Sequence, residues 1–333
     1  MRQMARMRSG ATTAALLAAV VTAPLVTGCI AGGRSTDDGR GHSKAPTPGQ
    51  ASPEKQTPSP AAVGSVLAVK IDNVRAARPQ TGLEAADIVY AEQVEGGLSR
   101  LMAVYASKLP KVVGPVRSAR ESDLELLRQF DDPTLAFSGA QHKLLPLIDQ
   151  APLHAYPPGE TSGDAYYRGT GKAAPHNLFL RPQRLTRTAP GTAALTTGFH
   201  FGAAPAGGSP QTSQTVRFPA ARFTFTWSAS RERWLVDMDG TPTVTTDGKT
   251  VAPATVVVQY VKVRESKYHD VLGNNTPYTE TVGSGTAKVL REGRAFNVNW
   301  SRPRATDGTE FTTADGAPMN FAKGQVWVVF AEA

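Results

Sequence analysis

One cysteine stands in 333 residues, so no intramolecular disulfide framework can hold this chain. Cysteine-ligated zinc and iron–sulfur clusters need several thiolates and fall on the same count. The six histidines show neither a His-x-x-His nor a His-Glu-x-x-His spacing, so no metal site is expected. No Gly-x-Ser-x-Gly nucleophile elbow occurs. Gly169-Thr170-Gly171-Lys172 ends like a phosphate loop, but Tyr166 stands where the first glycine belongs and no Ser or Thr follows the lysine. No cofactor is therefore expected. There is no internal repeat, and no basic stripe with interleaved aromatics of the kind that binds nucleic acid. No enzyme signature survives, which leaves catalysis open and leaning against.

What is present begins with a leader. Arg2, Arg6 and Arg8 form a basic start without an acid, and Ala11 to Val26 is an apolar stretch interrupted by Thr and Pro24. It falls short of the roughly 20 apolar residues of a membrane-spanning helix. Small residues then lead into the cysteine: Val26-Thr27-Gly28-Cys29 resembles the lipobox of bacterial lipoproteins. That resemblance implies a signal peptide over 1–29, a diacylated Cys29 as the mature N-terminus, and a protein anchored by lipid at the outer face of the cytoplasmic membrane. A thiol so modified also removes thiol catalysis. The formal charge of +8 includes the three leader arginines, leaving +5 for the mature chain, a mild basicity suited to anionic lipid or wall polymer.

Residues 30–65 are rich in Gly, Ser, Thr, Pro and charge and read as a disordered tether. As a flexible coil, ~33 residues span about 30 Å. About 270 residues remain for a core, which is ample. Order is expected from Val66. Val66 to Ile71 reads as a buried strand ending in Asp72-Asn73; Asp87–Glu95 and Leu98–Tyr105 read as strands joined by a two-residue Gly96-Gly97 turn; and a helix is expected from Ser118 to about Phe130 with Leu124, Leu127 and Phe130 inward. The Gly/Pro/Ser stretch 203–214 is the expected boundary between an N-terminal part, 66–202, and a C-terminal part, 215–333. Beyond it, short alternating strands separated by Asp-Gly turns argue for antiparallel β structure.

Several segments fit one pattern: Lys70-Ile71-Asp72-Asn73, Arg78-Pro79-Gln80, Gly82-Leu83, Glu95-Gly96-Gly97-x-x-Arg100 and Gly114-Pro115-Val116-Arg117-Ser118-Ala119-Arg120. They closely resemble the N-terminal part of the YerB-like lipoprotein family, a domain of unknown function. Gly283-Ser284-Gly285, Asn299-Trp300, Asp315-Gly316 and Gly324-Gln325-Val326-Trp327 resemble its second part. The resemblance covers about 66–330. It implies an envelope lipoprotein with an α+β fold, a layered ββα-type sandwich whose N-terminal part is mixed α/β and whose C-terminal part is mostly antiparallel β. It carries no assigned activity. The stretch 263–283 is compact here, which argues against a loop function there.

The Gly114–Glu121 segment is the leading candidate site. Ser118 with Glu121 three residues later reads as a capping box opening the helix. Arg117 and Arg120 then sit at a helix end that favours anions. Either an anionic ligand is held there, or Asp72, Glu92 or Glu95 supplies the negative partner within the fold. Across a two-residue turn, Gln93 would face Arg100 with Glu95 diagonal to it, so Arg100 either pairs with Glu95 or joins the same pocket. Glu92 would lie on the opposite strand face and could hold Lys70 or an arginine. Asp72 and Asn73 end a strand, where ligand sites and local turns are both common. His176, beside Asn177, could bring a base or donor, while His269-Asp270 is expected to face solvent. The ligand-binding set is thus Asp72, Asn73, Arg100, Arg117, Ser118, Arg120 and His176, with the membrane reached through Cys29. Three functions are open: binding an anionic envelope component, wall polymer or partner protein; an envelope hydrolase or transferase using His176 or converging Asp72, Glu92, Glu95 and Asp123; or a protein–protein scaffold with an exposed apolar patch.

Overall fold

A computed structural model describes residues 64–159, 163–270 and 273–333, all within one compact unit. The leader, Cys29 and the tether through residue 63 lie outside the described residues.

Strand dominates. The first half supplies β1 (Leu67–Asp72), β2 (Ile88–Gln93), β3 (Ser99–Tyr105), α1 (Glu121–Leu127), β4 (Thr134–Ala136), α2 (Leu145–Gln150), β5 (His154–Tyr156), β6 (Tyr166–Arg168) and β7 (Leu178–Leu180). The second half supplies β8 (Ser209–Pro210), β9 (Ser213–Phe218), β10 (Ala221–Ser228), β11 (Arg233–Met238), β12 (Thr241–Pro242), β13 (Thr255–Val261), β14 (Val263–His269), β15 (Asn275–Thr279), β16 (Gly283–Arg291), β17 (Arg294–Arg302), β18 (Glu310–Thr312) and β19 (Val326–Glu332).

One large sheet runs β18-β17-β16-β13-β19-β2-β3-β1-β4-β5, with β8 beside β17. Its seam is the parallel pairing of β19 with β2, from Val326↔Ile88 to Val329↔Ala91. Strands from both halves of the chain therefore share one hydrogen-bonded surface. The sheet is mixed. β13, β16, β17 and β18 pair antiparallel, as short alternating strands should, but β13 and β19 are parallel. The Val326–Phe330 run is buried throughout, the composition of a strand covered on both faces.

Period-two alternation assigns β1 to two cores. Leu67, Val69 and Ile71 join a first cluster with Phe223, Phe225, Trp234 and Val236 of the four-stranded sheet β12-β11-β10-β9. Trp327 anchors this contact, its ring centroid 6.2 Å from Phe223 and 6.0 Å from Phe225. Each such buried side chain contributes roughly 2–3 kcal/mol. Ala68 joins a second cluster with Tyr90, Met102, Leu126 and Leu127 of α1, and Ile148 of α2. On that second face β1 also carries Lys70 and Asp72, both buried.

The helix is shorter than the sequence suggests. The expectation of a start at Ser118 fails because the preceding segment is pinned extended. Arg117 N–H donates to the Lys70 carbonyl at 2.8 Å and Ala119 N–H to that of Gly139 at 3.0 Å. Asp123 Oδ2 instead accepts the Arg120 backbone N–H at 2.7 Å, so α1 opens at Glu121. Its far end is held by Arg302, fully buried, which donates to the carbonyls of Glu125 at 2.8 Å and Leu126 at 3.3 Å. A cation there satisfies the last carbonyls of a helix.

Candidate functional site

The C-terminal end of β1 and the start of β3 meet the extended segment 114–120 and the first turn of α1. Gly114 fixes the approach: a Cβ there would lie 2.8 Å from Phe179 Cδ1 and 2.9 Å from the Leu178 carbonyl oxygen. Between these elements and the β14–β15 hairpin lies a cavity of about 370 Å³.

Asp72, Arg100, Arg117, Ser118 and Arg120 line that cavity. Arg117 Nε stands 3.2 Å from Asp72 Oδ2. Arg120 reaches Glu95 twice, with Nη2 donating to Oε2 at 2.7 Å and Nε 2.6 Å from Oε1. Arg100 differs. It is nine-tenths buried, and one Nη donates to the Ser118 carbonyl at 3.0 Å. Among the described residues its guanidinium has no carboxylate partner and its other N–H groups have no acceptor. Ser118 contributes that carbonyl, while its hydroxyl lies 3.4 Å from Ser138 Oγ.

Asn73 and His176 stand outside the lining. Asn73 knits the strand end, its Nδ2 donating to Ser99 Oγ at 2.9 Å and its Oδ1 accepting from Gln80 Nε2 at 2.9 Å. His176 backs the cavity, with Nδ1 2.8 Å from Asp72 Oδ2.

Beneath the cavity lies a buried charge cluster. Lys70 donates to Asp123 Oδ1 at 2.7 Å and contacts Glu92, which also accepts from Ser122 Oγ at 3.0 Å. The four carboxylates read as convergent thus divide: Asp72 and Glu95 line the cavity, whereas Glu92 and Asp123 hold Lys70 below it.

Two further expectations need correction. The β2–β3 connection is a three-residue loop, not a two-residue turn: Val94 N–H donates to the Leu98 carbonyl across Glu95-Gly96-Gly97, with φ of 67° and 69° at the glycines. Gly97 packs so closely that a Cβ would meet Pro219 Cβ at 2.5 Å. The extra residue shifts the register by one, so Arg100 pairs across the sheet with Glu92 on one side and Asp72 on the other, on one face. The second correction concerns 263–283. His269 and Asp270 line the cavity, as do Tyr268 and Thr276, while His269 remains exposed to solvent. The hairpin is fastened by hydroxyls on carboxylates: Thr276 Oγ1 donates to Glu95 Oε1 and Ser266 Oγ to Glu121 Oε2, both at 2.5 Å, and Tyr278 Oη to Glu125 at 2.8 Å. Sequence reading also missed the apolar walls, Val94, Leu98, Leu144 and Tyr268.

Burial sets the electrostatics. It pulls Arg100 down to about 9, helped by the charges of Arg120 and Arg117 and opposed by Glu95 and Asp72. Burial alone would raise Glu95, but hydrogen bonding and charge from Arg120, with Thr276 and Arg100, hold it below its usual value. Burial pulls Lys70 down to about 8 against the attraction of Asp123. Among the described residues no group of three or more His, Cys, Asp or Glu stands where it could hold a metal, and no helix is long and apolar enough to cross a membrane.

Residues 52–199 match the family described as "Protein of unknown function (DUF3048) N-terminal domain", and residues 214–328 match the DUF3048 C-terminal domain. A curated relative from Bacillus subtilis (strain 168), named "Putative lipoprotein YerB", is 25% identical over 276 residues, 79% of this chain and 80% of its own. The crystal structure of YerB from Bacillus subtilis aligns with a TM-score of 0.67 at 21% identity, covering 81% of this chain and 91% of that one. That likeness is one of fold.

Proposed function

This chain belongs to the DUF3048 family of proteins of unknown function, and from that premise we propose that it is a binding lipoprotein of the cell envelope. Its anchor is lipid on Cys29 at the outer face of the cytoplasmic membrane, and the tether after Cys29 holds the folded unit near lipid and wall. The lipobox-like run and the name of the Bacillus relative support this reading. The two sequence parts, 66–202 and 215–333, joined by 203–214, both contribute strands to the large sheet.

The ligand is an anionic component held in the cavity by Arg100, Arg117 and Arg120. One observation carries this: Arg100 is a buried cation on the cavity wall without a carboxylate of its own. Desolvating a charge without pairing it is costly, and a bound anion offsets that cost with charge-assisted hydrogen bonds. Asp72 and Glu95 orient the other two guanidiniums beside it. The seven-residue α1 adds nothing to this site beyond its position.

Thermal shift and calorimetry with anionic wall fragments and inorganic phosphate test the reading. Binding to the wild type and its loss in Arg100→Met are expected. Equal binding by both proteins removes the site.

A second reading rests on the Asp72–His176 contact, in which a buried carboxylate orients an imidazole as in general-base catalysis. It predicts turnover of wall polymer that His176→Ala abolishes with folding intact; no product from the wild type ends it. The scaffold reading draws little support, since the exposed large apolar residues described are Leu98, Leu147, Phe201 and Val244, and Leu98 alone of them lines the cavity.

A further inference from the structure

The same cavity restricts the ligand further. Taking the anion reading above as given, we propose that the ligand is an amphiphile with a single anionic head, a carboxylate or phosphodiester, on an apolar chain, rather than a polyanionic wall polymer.

Charge counting sets the head. Asp72 already engages Arg117, and Glu95 already engages Arg120. Arg100, with a single hydrogen bond, and Arg117, whose Nη groups have no acceptor among the described residues, have donors to spare, but the three arginines of the lining share it with four carboxylates, so the cavity has no surplus of positive charge for several anionic groups. Glu121 and Asp270 also line it. Their charges disfavour each additional anionic group that enters. A polymer of closely spaced phosphates is therefore a poor match.

The walls set the tail. Val94, Leu98, Leu144 and Tyr268 face the same space as Arg100. Leu98, 38% exposed, is a large aliphatic side chain held partly open beside a buried guanidinium. Val94, Leu144 and Tyr268 are already buried, so Leu98 is the one of the four that a free inorganic anion would leave wet. An alkyl chain covers it, and about 370 Å³ lies within the usual range for a small-molecule site, about 300–1,000 Å³. A head on Arg100 and a chain along Leu98 and Leu144 satisfy both halves of the lining.

The test uses the full chain carrying Cys29→Ala and calorimetry with butanoate, hexanoate, octanoate and decanoate below their micelle concentrations. Affinity is expected to rise about fourfold per added methylene, corresponding to ~0.8 kcal/mol per buried CH₂, until the cavity is full. Arg100→Met should abolish binding across the series. Leu98→Asn, on a partly exposed side chain, should flatten the chain-length dependence. Octyl glucoside, with the same chain and no charge, should not bind. A flat series, or inorganic phosphate or polyphosphate binding as tightly as octanoate, overturns the amphiphile while sparing the anion site. Octyl glucoside binding as tightly as octanoate overturns the anionic head. Failure of every anion to bind the wild type overturns both readings.

Discussion

Arg100→Met removes a cation that the fold holds without a counter-charge. Its decline from 12.5 to about 9 is, at 1.36 kcal/mol per tenfold, ~5 kcal/mol by which the folded state disfavours the charged form. The sign follows from linkage. A cation whose affinity for its proton is weakened by folding costs stability, and that cost is fully present below about pH 9 and disappears only as pH rises from about 9 toward the unfolded value. At pH 7 the whole penalty applies. Against it stands one charged hydrogen bond, to the Ser118 carbonyl, worth about 1.5–3 kcal/mol. Methionine keeps most of the packing of the arginine stem. The balance is a gain of about 2 kcal/mol, which for a unit of this size raises Tm by roughly 4–8 °C. Urea unfolding followed by tryptophan fluorescence, with and without the substitution, measures it at pH 7. A binding site that costs stability behaves this way: the variant is firmer and inert. A loss of stability of 1 kcal/mol or more would mean that the fold already compensates Arg100, and the case for an anion would go with it.

Lys70→Met should act in the opposite direction. It strands Glu92 and Asp123 in the interior, and breaking a buried ionic group this way costs about 3–5 kcal/mol; adding Glu92→Gln and Asp123→Asn should restore most of it, and an unchanged urea midpoint in the single variant would refute the cluster. Glu95 is held below its usual value by Arg120, so its contribution is present above pH 4.5 and is lost as pH falls through its folded value; the acid limb of the stability profile from about pH 6 to about pH 3 should flatten in Glu95→Gln, and identical limbs would contradict the pairing. Arg302→Met leaves the terminal carbonyls of α1 unsatisfied and should lower stability by about 2–4 kcal/mol, read from the same unfolding curves. Cys29→Ala should release the protein into the medium, and retention on the membrane in fractionation would defeat the lipid anchor.

How much of this was legible differs by element. Strands such as Leu67–Asp72 and Val326–Glu332 are visible because their apolar content and period are local properties. Their neighbours are not. The parallel seam of β19 with β2 joins residues more than two hundred positions apart, and no local pattern encodes it. The run from Gly114 to Arg120 suggested a helix opening at Ser118, since a Ser–Glu spacing of three is a capping signal. Its backbone N–H groups donate to the carbonyls of Lys70, Gly139 and Leu178, which holds the run extended instead. The arginines were legible as a group. Which of them is paired was not, because the partners come from β1, the β2–β3 loop and, through Thr276, a distant hairpin.

That pairing turns on a single residue in a loop. Across a two-residue turn Arg100 would stand opposite Gln93, with Glu95 diagonal and within reach. The three-residue loop places Glu92 opposite it instead, and a carboxylate directly across a sheet is ordinarily partner enough. Glu92, however, is already taken from below. Lys70 contacts it, Ser122 donates to it at 3.0 Å, and Lys70 is itself fully buried with Asp123. In that interior the ammonium is held by both Asp123 and Glu92, so Glu92 is engaged with Lys70 rather than with Arg100. Asp72, the neighbour on the other side, is shared between Arg117 and His176. The unpaired guanidinium is therefore a consequence of two ion clusters that each close without it. A sheet that buries Lys70, Asp72, Glu92 and Arg100 on one face beside Asp123 brings two cations and three carboxylates together. The acids outnumber the bases, yet one arginine still faces the cavity alone. Geometry rather than net charge keeps that position open, and an anion small enough to reach it is what the cavity accepts.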